Sequence, residues 1–182
     1  MRNINFIKKA ISDYRVAALT ASSKFVVNQI LDRLREISPR YVVEYGPGDG
    51  VITREILKLL PEDGRLIAIE TNDEFCNELE KIADKRFTLI RGNVLDVAKD
   101  YSKLGVDYAD AVVSGIPFTY FNPTSRENVI ADTHRGLNEA GVFIVYQFSP
   151  LVRPILKKNF SKVSTQFELR NFPPYFIMEA RK

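Results

Sequence analysis

Glu44-Tyr45-Gly46-Pro47-Gly48-Asp49-Gly50 follows the apolar run Tyr41-Val42-Val43 and precedes Val51-Ile52-Thr53-Arg54-Glu55-Ile56-Leu57. The first run suits a buried strand, and the last has helical spacing. Between them, three glycines at alternate positions permit a tight turn with left-handed backbone angles. The stretch therefore reads as strand, glycine-rich turn, helix, the opening unit of a wound α/β sheet.

Outward from that unit, the alternation continues. Strand 1 is expected over about 40–45 and a helix over about 51–60, stopped by Pro61-Glu62-Asp63-Gly64. Arg65–Glu70 reads as strand 2, 72–84 as a helix capped at Asn72 or Asp73, and Phe87–Arg91 as strand 3. Ala109–Ser114 is strand 4, and a helix over 124–137 leads to strand 5 at 141–148. A short helix over 151–158 and two β runs, 162–170 and 175–181, close the chain around a Pro173-Pro174 turn. Apolar strands alternating with helices predict an α/β fold, a Rossmann-like, seven-stranded, mostly parallel sheet. The closing hairpin predicts one antiparallel strand.

The loop chemistry is narrower than the fold. A dinucleotide fingerprint needs a third glycine where Val51 stands. The spacing instead is G-x-G-x-G with Glu44 two residues ahead of Gly46, the pattern of a site for S-adenosylmethionine. Gly46, Gly48 and Gly50 let backbone approach the ligand, and Glu44 receives its ammonium directly or through water. Glu70, ending strand 2, is placed to accept the ribose hydroxyls, with Thr71 beside it. Asn93 is placed for the adenine amine and Val94 for the ring edge. Each acidic residue alone would serve equally well as a helix cap or surface charge; together they converge on one ligand.

The 182 residues suffice for a full core, and 45% hydrophobic with 27% charged content is ordinary for a globular protein. No apolar run is long enough for a membrane span, and no signal peptide is visible. One cysteine, Cys76, and one histidine, His134, leave no disulfide or metal cluster to expect. His134 is read as a surface or packing residue. A cytoplasmic location is expected. The net charge of +3 is a mild bias toward anionic partners.

In residues 1–15, Ile4, Ile7, Ile11 and Tyr14 share one helical face flanked by Arg2, Lys8, Lys9 and Arg15. Such a helix either docks on the protein's own core or lies in an anionic membrane interface. A second amphipathic helix follows, with Phe25, Val26, Ile30, Leu31 and Leu34 as its buried stripe, ending at Ser38-Pro39. Both helices precede strand 1, where they are expected to cover a pocket at the sheet's carboxyl edge. The expected organisation is a single domain over 1–182, with a helical leader at 1–38 and the Rossmann-like core at 39–182.

With these motifs in hand, the chain resembles a class I S-adenosylmethionine-dependent methyltransferase. More narrowly, it resembles the small bacterial phospholipid N-methyltransferases that act on phosphatidylethanolamine, relatives of the ribosomal RNA adenine dimethyltransferases. The resemblance covers nearly the whole chain. It rests on Glu44–Thr53, on Val112-Val113-Ser114-Gly115-Ile116-Pro117-Phe118, on Tyr146-Gln147-Phe148, on Arg170-Asn171-Phe172-Pro173-Pro174, and on the leader segment Val16–Ser23. RNA dimethylases carry an Asn-aliphatic-Pro-aromatic tetrad after strand 4. Here Ser114-Gly115-Ile116-Pro117-Phe118 opens without asparagine, and the C-terminal helical RNA-binding region is not among these residues. Phe118, Tyr120 and Phe121 suit a stacked base, an ammonium group or lipid chains alike.

The resemblance implies methylation of the ethanolamine head group of phosphatidylethanolamine at the inner face of the cell membrane, with residues 1–15 on the anionic surface. An RNA adenine or small-molecule methyltransferase, or a non-catalytic S-adenosylmethionine-binding module, are the alternatives. The proton acceptor is sought among the backbone of Ser114-Gly115, the hydroxyls of Tyr45 and Tyr146, and water. Ser114 is also expected beside the donor. Ile116, Pro117, Phe118 and Tyr120 are expected at the substrate, and Arg153 at the lipid phosphate. No metal is expected, and the sequence leaves the oligomeric state open.

Overall fold

The computed structural model describes residues 23–182. The expectations for residues 1–15 and for most of the leader lie outside the described residues.

Seven strands form one sheet in the order β3-β2-β1-β4-β5-β7-β6. They are β1 (Tyr41–Tyr45), β2 (Arg65–Glu70), β3 (Phe87–Arg91), β4 (Ala109–Ser114), β5 (Leu137–Gln147), β6 (Lys162–Glu168) and β7 (Tyr175–Arg181). The first five are mutually parallel, and β7 runs antiparallel between β5 and β6. This is the expected Rossmann-like sheet with its single reversed strand.

Helices cover both faces. Those described are α1 (Lys24–Ile37), α2 (Val51–Leu59), α3 (Asp73–Leu79), α4 (Val94–Val97), α5 (Pro123–Gly136) and α6 (Arg153–Asn159). Period-two alternation sorts the strand residues between them. Val42, Val113 and Ile144 pack with α1 and α2. Their neighbours Val43, Val112 and Val145 pack with α4, α5 and α6. Ile30, Leu34 and Ile56 are fully buried in the first layer, each contributing about 1.5–3 kcal/mol by leaving water.

Several boundaries differ from the sequence expectation. The α1 stripe takes Val27 in place of Phe25. Phe25 instead lies under the Arg170 guanidinium, 4.1 Å from ring centre to Cζ. α1 packs on the sheet face beside α2 and β7, and none of its residues reaches the cavity at the carboxyl edge. The helix over 72–84 ends at Leu79, because the chain turns at Asp84 so that Arg86 can bind both Asp84 and the Leu60 carbonyl. β5 starts at Leu137, with a register irregularity opposite Ala109–Ala111.

Asp110 anchors the start of β1. Its Oδ2 accepts the Arg40 and Tyr41 amides at 2.7 and 2.8 Å, and its Oδ1 accepts Asn138 Nδ2. Asp110→Ala leaves these donors without their charged acceptor. It should lower unfolding free energy by about 1–3 kcal/mol in a urea titration, while affinity for any ligand at the opposite sheet edge stays unchanged.

Candidate active site

β1 is flanked by β2 on one side and β4 on the other, so the chain winds away from it in both directions. A crevice opens at the carboxyl ends where the winding reverses. Two amide bonds frame it: Gly46 N donates to Ile69 O at 2.9 Å, and Gly115 N donates to Tyr45 O at 3.0 Å. The cavity there has a volume of about 280 Å³.

One wall is the glycine loop. Gly46, Gly48 and Gly50 hold φ of +65°, +58° and +76°, left-handed values that side chains disfavour. Gly46 and Gly48 face the cavity with Pro47 and Asp49. Gly50 does not: its α-carbon packs toward Leu79 and Arg54, and its role is to turn the chain into α2.

Glu70 lies on the wall, largely buried. Its Oε1 accepts the Thr71 and Asn72 amides at 2.8 and 2.9 Å, and its Oε2 accepts the Gly48 amide at 3.2 Å. The carboxylate thus braces the loop and keeps acceptor capacity toward the cavity, because two oxygens offer about four lone-pair sites. Thr71, Asn93 and Val94 share this end of the cavity, together with Ile69 and Phe75. Asn93 Oδ1 caps α4 by accepting the Leu95 amide at 2.9 Å, which fixes the side chain beside the crevice.

Glu44 sits behind the loop, fully buried and off the cavity wall. Thr53 Oγ1 donates to its Oε2 at 2.7 Å, while among the described residues Oε1 meets no donor. Burial pushes its pKa up to about 8, and the charges of Glu70 and Asp49 push the same way. The Glu70 and Asp49 carboxylates and the buried Glu44 carboxyl surround one glycine loop, a setting suited to a cation. An orphaned buried oxygen at its centre is the kind of group that a ligand ammonium, or a water bound to it, would satisfy. The residues therefore fit S-adenosylmethionine: Glu44, Asp49 and the loop would hold its charged end, Glu70 the ribose, and Asn93 and Val94 the base.

The other end of the cavity is aromatic. Gly115, Ile116, Pro117, Tyr120 and Phe121 line it from the segment after β4, and Tyr146 from β5. Sequence reasoning assigned no site role to Gln147, Phe148 or Tyr175, which complete the wall. Gly115 is required sterically: a Cβ there would collide with the Tyr146 phenol and meet Gly46 O at 3.1 Å. Gln147 is a clamp, accepting the Phe118 amide at 3.1 Å and donating to Ser149 O. Arg126 of α5 holds the same segment through the Phe118 and Phe121 carbonyls at 3.1 and 2.8 Å.

Four sequence expectations need correction. Tyr45 points to the opposite face of the sheet from Glu44. Its hydroxyl is buried with Tyr101 and Thr133, where burial raises its pKa to about 12. It cannot serve as a proton acceptor at the cavity. The Phe118 ring is fully buried, edge-on to Phe121 and Phe143, so it is core and not substrate wall. Ser114 is buried off the wall, with Oγ toward the Ile116 amide at 3.4 Å. Arg153 is exposed at the first turn of α6, outside the cavity wall. Of the proposed acceptors, the Gly115 backbone and Tyr146 remain on the wall. His134 packs edge-on to Phe160, away from the crevice.

Two outcomes follow. Glu70→Ala should weaken S-adenosylmethionine binding by roughly 10- to 100-fold in calorimetry, the usual scale for losing hydrogen bonds to a charged group. Glu44 binds its proton more tightly folded than unfolded, so its contribution to stability is greatest at low pH and falls as pH rises from 4.5 to about 8. Glu44→Gln does not titrate there. Its melting temperature should therefore gain on the wild type between about pH 5 and about pH 8.5.

Comparison with known proteins identifies the family. Residues 20–120 match the family model described as ribosomal RNA adenine dimethylase. An ornithine lipid N-methyltransferase from Singulisphaera acidiphila is 30% identical over 162 residues, covering 87% of this chain and 84% of that protein. Ribosomal RNA small subunit methyltransferase A from Mycoplasmopsis pulmonis is 28% identical, covering 86% of this chain and 58% of its own length. The O-methyltransferase TomG from Streptomyces achromogenes, solved in complex with SAM, superposes with a TM-score of 0.73 at 16% identity, covering 97% of this chain and 89% of that one. Among the described residues, no helix is long and apolar enough to cross a membrane. The chain belongs to the ribosomal RNA adenine dimethylase family of class I methyltransferases and is an enzyme that takes its methyl group from S-adenosylmethionine.

Proposed function

We propose that the acceptor is the amine of a membrane-lipid head group, the ethanolamine of phosphatidylethanolamine being the first candidate and an ornithine lipid the second. The observation that carries this reading is the aromatic end of the cavity. Tyr120, Phe121, Tyr146, Phe148 and Tyr175 surround the space beside Gly115, and the Tyr146 and Tyr175 rings lie 6.2 Å apart. Aromatic faces attract ammonium and methylammonium groups by cation–π interaction. They hold such a group with less bias toward the protonated, unreactive amine than a carboxylate counter-ion would impose.

When bound, S-adenosylmethionine would supply an electrophilic methyl group: the amine lone pair attacks the methyl carbon in line as its carbon–sulfur bond breaks, and S-adenosylhomocysteine leaves as the neutral thioether. The protein's task is alignment. Gln147 and Arg126 fix the acceptor wall, and Gly115 lets the Tyr146 hydroxyl close on the donor loop. That hydroxyl and the Gly115 backbone are the polar groups proposed to orient the amine and pass its proton to water. Glu44, Gly46, Gly48, Glu70, Thr71, Asn93 and Val94 are the proposed donor-binding set, with Gly50 shaping the loop. The proposed location is the inner membrane surface, with residues 1–15 aiding attachment.

A second reading, RNA adenine methylation, draws support from the matching family model and from Tyr120 and Phe121, which could stack on a base. The segment Ser114–Phe118 lacks the leading asparagine that would orient an adenine amine. Purified enzyme with labelled S-adenosylmethionine should be offered phosphatidylethanolamine vesicles, ornithine-lipid vesicles and bacterial RNA in parallel. Label is expected in lipid; label in RNA alone would reject the lipid proposal.

A further inference from the structure

Six large hydrophobic side chains are exposed among the described residues: Tyr108, Tyr120, Leu151, Phe167, Leu169 and Phe172. Four of them stand on loops at one edge of the sheet. Tyr120 (42% exposed) follows β4, Leu151 (41%) follows β5, and Leu169 (71%) and Phe172 (86%) form the turn before β7. β4 and β5 run parallel and β7 antiparallel, so all three loops open on the cavity side. Tyr120 is itself on the cavity wall. Phe172 is three residues from Tyr175, and Leu151 three from Phe148, both wall residues. Three residues span at most about 11 Å.

The turn carrying Leu169 and Phe172 is held in its exposed posture. Between them, Asn171 is buried: its Oδ1 accepts the Ser23 amide at 2.9 Å and its Nδ2 donates to Pro173 O at 2.7 Å. Glu168 accepts both Gln29 and Arg170, and the Arg170 guanidinium lies over Phe25 of α1. A turn anchored this firmly presents Phe172 outward as a fixed feature. Cations border it: Arg170 and Lys24 share the Phe25 ring, and Arg153 stands two residues from Leu151.

We infer that this rim, Leu169 and Phe172 with Leu151 and Tyr120, is a membrane-docking surface that seats the cavity mouth in the interface of an anionic bilayer. The inference rests on the lipid reading above and adds a surface distinct from residues 1–15. Apolar tips among the acyl chains and cations at the phosphate level are the arrangement by which a protein lies on a bilayer. A head group then reaches the aromatic end of the cavity without its chains leaving the membrane. Arg153, which lies off the cavity wall, is positioned for the phosphates of neighbouring lipids.

The chain contains no tryptophan, so one can be introduced as a sole reporter in the full-length protein. Phe172→Trp should show blue-shifted emission when vesicles of phosphatidylethanolamine and phosphatidylglycerol are added, with quenching by brominated acyl chains. Tyr108→Trp, at the opposite edge of the sheet, should show neither. The double variant Leu169→Ser/Phe172→Ser should lose about tenfold or more in vesicle affinity by sedimentation, with S-adenosylmethionine affinity unchanged. Unshifted emission from vesicle-bound Phe172→Trp protein would overturn the proposal, even where lipid methylation proceeds. Emission already blue without vesicles would overturn it too, by showing the rim covered by this chain or a second copy. Vesicle-dependent shift and quenching without lipid methylation would support the docking surface while removing the lipid reading of the reaction.

Discussion

Two amide hydrogen bonds just beyond the strand ends govern this molecule: Gly46 to the Ile69 carbonyl and Gly115 to the Tyr45 carbonyl. They carry the sheet's pairing one residue past β1 and β4 and then release both chains into loops at the same level. Because the winding reverses at β1, those loops diverge and leave a crevice. The space survives because the two residues that turn into it are glycines. The Tyr146 phenol occupies the place a Gly115 side chain would take. The glycine loop, the segment after β4 and β5 thus meet within a few ångströms, the closeness that in-line transfer between two bound molecules would require.

Electrostatics at this junction work against stability and for binding. Burying Glu44 with one oxygen unpartnered costs free energy, and the protein answers by holding the carboxyl protonated up to about pH 8. Glu70 and Asp49 deepen the penalty. A core built only to fold would place an apolar residue there, since Val42 and Val113 pack on the same face. The cost makes sense when a cationic group completes the site, because the Glu70 and Asp49 charges that add to the effect of burial on Glu44 become attraction for the ligand.

The legible part of the chain was local. Strand, glycine turn and helix are neighbours in sequence, so the meeting of Gly46, Gly48, Glu70 and Asn93 at one cavity could be read from spacing, with Glu44 behind the loop. The strand alternation also announced the mostly parallel sheet and its one reversed strand. Sidedness was harder. Glu44 and Tyr45 are adjacent, yet a strand sends them to opposite faces; nothing in the loop motif says which face serves the ligand. Phe118 poses the same problem, since the segment after β4 bends and buries one of its three aromatics while turning Tyr120 and Phe121 to the cavity. Tyr175, Phe148 and Phe75 were illegible for another reason. Their positions depend on β7 inserting beside β5 and on α3 packing against β2, contacts between residues far apart in sequence. The Phe25 and Val27 exchange in α1 shows the smaller version: the helical period was right, but the distant Arg170 drew Phe25 out of the stripe.

The same division between local and distant separates the glycine-loop end of the cavity from its aromatic end. The matching family model spans residues 20–120, which hold the glycine loop, Glu70, Asn93 and Tyr120. Phe121, Tyr146, Phe148, Tyr175 and the Leu169–Phe172 turn all lie beyond it. Relatives named for a lipid and for ribosomal RNA align with 87% and 86% of this chain, so alignment along the chain does not by itself tell their acceptors apart. Parts that can vary without disturbing the crevice are the ones free to set the acceptor. The closing hairpin meets that condition. It attaches to the sheet at its far edge through β7, is braced by α1, and touches the cavity only through Tyr175. A change at its tip alters what meets the cavity mouth while leaving Gly46, Gly115 and the buried carboxyl where they are.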